Sequence, residues 1–487
     1  MSPDSPPQTR HLRATLLLSC LAQFMVILDV SVVNVALPAI RNGLHFTEVD
    51  LQWVVNAYTV TFAGFLLLGG RAADLLGRRR VFVAGLVLFA VASLAGGIAD
   101  SRTVLIAARA IQGLGGAVIA PASLSILTTT FAEGPARNRA VGIWGAMGGA
   151  GGAAGVLLGG ILTDLLSWRW ILFINVPIGL LAAFAARRFI LESRGANRAR
   201  DFDLRGALAA TVGLSLLVLG IVRTDQTGWG DTSTLIIVGA GIALLIAFVV
   251  IEGRLAKTPL MPLRIYRSRT LSAANVIVLL VGGATFGMWF FVSLYLQQVL
   301  GYSPIRAGLA FLPMTLCIVI GSTAASRIVA RVGAKPLLVV GMILLTAGLA
   351  WFSQISAHGT YLGDMLFPSL LAAIGMGLAF VPATISAVAG VAPQEAGLAS
   401  GLVNTARLFG GALGLAILAA IATSRTNSDL HRGGTTAHTA LTSGFQLAFV
   451  VSAVFALIGA LVAAFGLPQV PKRVPARTGT MAPAESG

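Results

Sequence analysis

Apolar runs of about 20 residues recur almost from end to end of this chain of 487 residues, with short polar connectors between them. A helix rises ~1.5 Å per residue, so each run is long enough to cross a hydrocarbon core ~30 Å thick. In lipid the backbone must satisfy its own hydrogen bonds, which makes such runs helices and the chain an all-α integral membrane protein. Fourteen spans are expected, at 14–38, 49–70, 81–99, 103–130, 139–163, 170–190, 205–223, 234–252, 270–299, 305–329, 336–355, 361–388, 397–422 and 442–466. Composition points the same way: 56% hydrophobic residues, 11% charged residues and a mean hydropathy of +0.87 are far from a soluble chain of this length. The longest polar stretches, 193–205, 424–440 and the tail after Pro468, are too short for a separate soluble domain.

In a soluble chain a net charge of +16 would suggest nucleic acid, but here the basic residues sort by side. With the N-terminus inside, 25 lysines and arginines fall in inner loops and tails and 7 in outer loops. That asymmetry predicts both termini in the cytoplasm and an even number of spans. The first apolar run follows His11 and Arg13 but continues past Asp29 to Pro38, so it reads as a retained span, not a signal peptide. Cys20 and Cys317 both lie in apolar runs, where neither a disulfide nor a redox role is expected.

The chain carries an internal echo. The inner loop after the second span, Gly70-Arg-Ala-Ala-Asp74-Leu-Leu-Gly77-Arg78-Arg79, is matched after the tenth by Ser326-Arg-Ile-Val-Ala330-Arg331-Val-Gly333-Ala-Lys335, at an offset of 256 and without the aspartate. The echo sets spans 1–6 opposite spans 9–14 and leaves spans 7 and 8 as an inserted pair. The expected organisation is an N-terminal tail (1–13), a six-helix half (14–190), the inserted pair with its loops (191–269), a second six-helix half (270–466) and a C-terminal tail (467–487). Two halves about a midplane site are a recurrent transporter plan. The glycine run Gly145–Gly160, inside an apolar span, marks a seam where helix backbones pack closely.

Ionisable groups inside spans are costly and call for a partner and a purpose. Asp29 lies ~22 Å up the first span and Arg109 ~9 Å down the fourth, which places them level in the outer half of the membrane. The functional reading is a carboxylate that alternately holds and releases a proton beside a fixed cation; the alternative is a static ion pair that only fixes packing. Asp74 among Arg78, Arg79 and Arg80 suits a conformational gate, since topology accounts for the arginines but not for the acid. Asn34, Gln52, Asn56, Gln112, Phe286, Trp289, Phe290 and Arg407 are candidates to line a cavity for an aromatic or amphipathic solute, with interhelical hydrogen bonding for the amides, ring packing for the aromatics and inward snorkelling for Arg407 as the competing reading. The histidines fall in tails and outer loops, so no metal or haem site is expected. No phosphate-binding Gly-x-x-x-x-Gly-Lys loop is present to make the chain an ATP-driven pump.

Six motifs in order resemble the fourteen-span drug:proton antiporters of the major facilitator superfamily. They are Leu28-Asp29-Val-Ser-Val-Val-Asn34-Val-Ala-Leu-Pro38, the Gly70–Arg79 loop, Arg109-Ala-Ile-Gln112-Gly113-Leu-Gly115-Gly116, Ser167-Trp-Arg-Trp-Ile-Leu-Phe-Ile-Asn175-Val-Pro177-Ile-Gly179, Tyr295-Leu-Gln-Gln-Val-Leu-Gly301 and Ala399-Ser-Gly-Leu-Val-Asn404-Thr-Ala-Arg407. The resemblance implies two six-helix bundles plus two extra helices in a bacterial cytoplasmic membrane. It implies an exporter, not an enzyme, that exchanges a drug or antibiotic for an incoming proton. Such a protein is driven by the proton-motive force without a cofactor, has no nucleic-acid partner and is expected to be monomeric. It assigns proton coupling to Asp29 and Arg109, the gate to Gly70, Asp74, Gly77, Arg78 and Arg79, and antiporter-specific helix packing to Gly155, Gly159 and Gly160. The alternative is a carrier of one specific metabolite on the same scaffold. Two positions depart from the family pattern: Leu75 replaces an arginine and Val156 a proline.

Overall fold

A computed structural model describes residues 7–131, 135–193, 203–228, 230–256, 259, 263–388, 396–432 and 436–468. Among the described residues there are helices and no strands. The long helices are α1 (Pro7–Leu44), α2 (Glu48–Leu76), α3 (Arg78–Gly97), α4 (Arg102–Thr130), α5 (Pro135–Leu165), α6 (Trp170–Phe189, interrupted at Ile174) and α7 (Leu204–Thr227). They continue as α8 (Thr232–Leu255), α9 (Arg269–Val299), α10 (Pro304–Val332), α11 (Ala334–Phe352), α12 (Tyr361–Ser386), α13 (Ala396–Arg432) and α14 (Ala437–Gly466). Twelve of them are long and apolar enough to cross a membrane; α2 and α7, the latter with an apolar stretch Leu208–Ile221, are the other two. Only 11% of the apolar stretch of α8 is buried inside the protein, so lipid is its solvent.

Short polar side chains start many of these helices. Thr47, Ser101, Ser303 and Thr436 each accept a hydrogen bond from a backbone N–H three residues on, the usual use of a hydroxyl at a helix N-terminus. Several helices outrun the expected spans, the first and the thirteenth among them. The first continues through Pro38 to Leu44, because the flanking turns and a packed apolar face carry it past the missing N–H. The thirteenth continues beyond 422 to Arg432, where Arg425 pairs with Asp429 one turn on at 3.2 Å and Thr426 donates to the Ala440 carbonyl of α14.

The helix pairings repeat between the halves. The packed pairs α1·α5, α2·α4, α3·α4 and α3·α6 of the first half return as α9·α13, α10·α12, α11·α12 and α11·α14 in the second. The inserted α7 and α8 pack on one another, and α7 bridges α2 and α13. The echoed glycines occupy equivalent joints. Gly77 ends α2 and opens α3 with φ 111°, and Gly333 ends α10 and opens α11 with φ 93°, a backbone region that side chains disfavour.

The halves meet at the face away from the termini. One core cluster spans both, and Ser293 and Gln297 of α9 donate to the backbone carbonyls of Asn34 and Val35 of α1 at 2.6 and 2.8 Å. Along α5 the closeness of packing falls from one end to the other: a Cβ on Gly160 would lie 2.6 Å from the Pro304 carbonyl of α10, whereas one on Gly145 would meet nothing within 4 Å. The two halves are therefore in contact at the far face, and α5 is open around Gly145 toward the terminus-bearing face.

Candidate coupling site and gate

The first half brings Asp29 and Arg109 together, as their estimated depths predict. Arg109 Nη1 donates to Asp29 Oδ2 at 2.6 Å, and both side chains are sealed, at 2% and 0% exposure. The other carboxylate oxygen, Oδ1, accepts from Gln112 Nε2 at 2.6 Å and Asn175 Nδ2 at 2.8 Å. Gln112 also accepts from Arg109 at 2.6 Å and donates to Ser93 Oγ at 2.8 Å. Arg109 Nε donates to the Val54 carbonyl at 3.0 Å, and its guanidinium lies 4.5 Å from the Tyr58 ring centre. A buried charge pair is tolerable only when the remaining donors and acceptors are met in this way.

Small residues make these reaches possible. On α4, a Cβ at Gly115 would stand 2.9 Å from the Phe89 backbone of α3 and one at Gly116 2.9 Å from the Phe62 ring of α2, so α4 lies close enough for Arg109 to reach α2 and Gln112 to reach α3. On α5, a Cβ at Gly155 would lie 2.7 Å from the Leu28 carbonyl and one at Gly159 2.8 Å from the Val32 carbonyl, while Gly160 faces α10. The glycine seam thus holds the very turn of α1 that presents Asp29. Val156, in place of the proline, belongs to this face: its carbonyl would stand 2.7 Å from a Cβ on Gly308.

At the α2–α3 joint Gly77 is buried and Gly70 half-buried, and the Asp74 side chain lies outside the described residues. Among the described side chains, an acid that meets the joint is Glu192, just past the end of α6. Glu192 Oε1 accepts from the Arg79 backbone N–H at 3.1 Å, and Oε2 pairs with Arg79 and Arg80 at 3.7 and 3.6 Å. The Arg78 N–H donates to the Ser193 carbonyl at 3.0 Å, and Arg79 Nη1 to the Ile190 carbonyl at 3.3 Å. A carboxylate at the start of α3 also suits the positive end of that helix, which has no side-chain cap of its own.

The candidate cavity residues separate. Gln52 and Asn56 are fully buried, bonded to each other at 3.4 Å, with Gln52 Nε2 and Asn56 Oδ1 left without partners. Gln112 is buried within the Asp29 network, and Phe290 is buried edge-on to Phe291. Asn34 is half-buried and donates to the Val30 carbonyl. Phe286 is half-buried, in contact with the cores of both halves, and Trp289 stacks on Phe311 at 5.2 Å. Arg407, also half-buried, donates to Asn404 Oδ1 at 2.9 Å and lies 5.9 Å from the Phe380 ring, with its Nε unpartnered. Sequence reasoning passed over Ser93, Tyr58, Asn175 and Glu192 as site residues. A polar side chain within an apolar span was the available signal for Asn175.

The profile of the Major Facilitator Superfamily matches residues 19–415. The chain belongs to this superfamily. It is thus a multi-pass membrane transporter and not an enzyme. Over 452 residues it is 44% identical to the cephamycin export protein of Amycolatopsis lactamdurans, covering 92% of this chain and 91% of the relative. It is 40% identical to the puromycin resistance protein of Streptomyces alboniger, covering 85% and 82%. Among solved structures of the superfamily fold, an inward-facing, unoccupied bacterial homologue of the human lysosomal transporter Spinster superposes with a TM-score of 0.68 at 16% identity, covering 95% of this chain and 97% of that one.

Proposed function

We propose that this superfamily member is a fourteen-span drug:proton antiporter with both termini in the cytoplasm, which exports a hydrophobic or amphipathic antibiotic by alternating access. Relatives aligned over most of both chains are named for antibiotic export or resistance, which supports the direction and the class of solute. The charge asymmetry of the loops supports the orientation, and on that orientation the face where the halves are in contact is the outer one. The helices α2 and α7, added to the twelve strongly apolar ones, support the count of spans.

The observation that carries the coupling is the Asp29 carboxylate, buried to 0% and held by Arg109, Gln112 and Asn175 from two other helices. A proton arriving there removes the charge that Arg109 pairs with and weakens the bonds that tie α1 to α4 and α6. An equilibrium between two packings responds when a ligand binds one of them better, so proton and drug drive exchange if they favour opposite states. One proton moving down 100 mV supplies ~2.3 kcal/mol and a unit of pH gradient adds ~1.4 kcal/mol, enough to hold a neutral solute at a gradient of a few hundred-fold. Gly77 and the Glu192 contacts form the joint at which the terminus-bearing face closes.

Inverted membrane vesicles containing the protein test this. With cephamycin and puromycin as first probes, an imposed proton gradient drives drug accumulation and an uncoupler abolishes it. Accumulation that follows ATP or sodium and ignores the proton gradient contradicts the proposal. A panel of antibiotics separates broad export from carriage of one metabolite, the narrower reading favoured by relatives named for a single compound.

A further inference from the structure

On the surface of the first half, away from the Asp29 network, α3 and α6 border a groove of about 740 Å³. Its floor is apolar and its terminus-bearing end is basic. Ala84, Val87, Leu88 and Val91 follow one face of α3 from Arg80, with Ala84 and Val91 exposed. Arg79, Arg80 and Arg187 close the basic end, and Arg80 and Arg187 are exposed. Neither the apolar stripe nor Arg187 is among the partners of Asp29.

The dimensions match one leaflet. From Arg80 to Val91 the helix rises ~16 Å, about half of a ~30 Å hydrocarbon core. Basic side chains thus lie at headgroup level and apolar ones at acyl-chain level. Among the described residues Glu192 is the acid paired with Arg79 and Arg80, at 3.7 and 3.6 Å, so there one carboxylate faces two guanidinium groups while Arg187 adds a third. The site is left with an excess of positive charge toward a phosphate.

We propose that this groove binds an anionic phospholipid of the adjacent leaflet, with its phosphate among Arg79, Arg80 and Arg187 and an acyl chain along Ala84, Leu88 and Val91. The phosphate competes with Glu192 for Arg79 and Arg80, so lipid binding loosens the latch between the α2–α3 joint and the end of α6. Each net arginine near a lipid surface favours an anionic over a zwitterionic headgroup by roughly fivefold, and with one of three charges offset by Glu192 the preference is roughly 25-fold.

Native mass spectrometry of the purified full-length protein tests the site, with dioleoyl phosphatidylglycerol and dioleoyl phosphatidylcholine titrated separately. The expected result is that the first lipid bound shows the roughly 25-fold preference for phosphatidylglycerol. Arg80→Gln combined with Arg187→Gln brings the two lipids near parity, and Ala84→Trp, which fills the groove, weakens both. These side chains are exposed, and an unchanged thermal midpoint certifies each variant as folded. Equal binding of the two lipids by the unaltered protein, or an undiminished preference in the double variant, overturns the proposal. So does a dimer that forms in place of the lipid-bound monomer and is lost in Ala84→Trp, which would put a second copy of the chain in the groove.

Discussion

Asn175 of α6 donates at 2.8 Å to Asp29 Oδ1, the same oxygen that Gln112 of α4 reaches at 2.6 Å. One oxygen atom therefore ties three helices, while the other belongs to Arg109. A hydrogen bond to a charged group contributes about 1.5–3 kcal/mol. Asn175→Ala is expected to leave a folded protein with a lower thermal midpoint and gradient-driven transport reduced by roughly tenfold or more. Unfolding curves and vesicle uptake measure the two, and no change in either would detach α6 from the coupling.

The ion pair should be worth more intact or absent than halved. Removing one member of a buried pair costs about 3–5 kcal/mol, because the other is stranded. Arg109→Gln and Asp29→Asn should each lower stability, and the double variant should be more stable than either single one while still failing in gradient-driven uptake. Thermal unfolding of the four proteins in one detergent gives the cycle. Strict additivity of the two losses would argue against a direct pair.

Gly77 and Gly333 offer a matched comparison across the two halves. Both have positive φ with extended ψ, so an alanine at either costs about 1–3 kcal/mol in backbone strain. A Cβ at Gly77 would also stand 2.7 Å from Glu192 Oε1, whereas at Gly333 the nearest contact is Pro336 Cδ at 3.9 Å. Gly77→Ala is expected to be the more destabilising of the two and to slow transport more. Equal effects would mean that Glu192 yields freely.

The contact of Gly160 with Pro304 belongs to the far face, where the halves are in contact. Gly160→Val should prise α5 from α10 and shift the population toward the state open on that side. Spin labels at the far ends of α5 and α10 would report a longer mean distance than in the unaltered protein.

Much of this architecture is legible in the sequence because a bilayer imposes a length and a polarity that a single chain must display. The apolar runs, the loop echo and the depths of Asp29 and Arg109 all follow from that constraint, and the ion pair and the Gly77–Gly333 symmetry agree with it. Helix ends are less legible. Pro38 reads as a stop, yet packing carries α1 to Leu44, and local pairing at Asp429 extends α13 through a stretch polar enough to pass for a loop. The partners of a site are least legible, since hydrogen bonding between distant spans leaves no spacing rule. Glu192 meets Arg79 from more than a hundred residues away, and Gln112, a candidate to line a cavity, turns toward Asp29.

Asp29→Asn, tested in inverted vesicles in two modes, bears most directly on the account. Gradient-driven accumulation of a transported antibiotic should vanish, because an amide cannot carry the proton, while exchange of labelled for unlabelled drug without a gradient should persist. Gradient-driven accumulation by Asp29→Asn at the level of the unaltered protein would contradict the assignment of proton coupling to this residue.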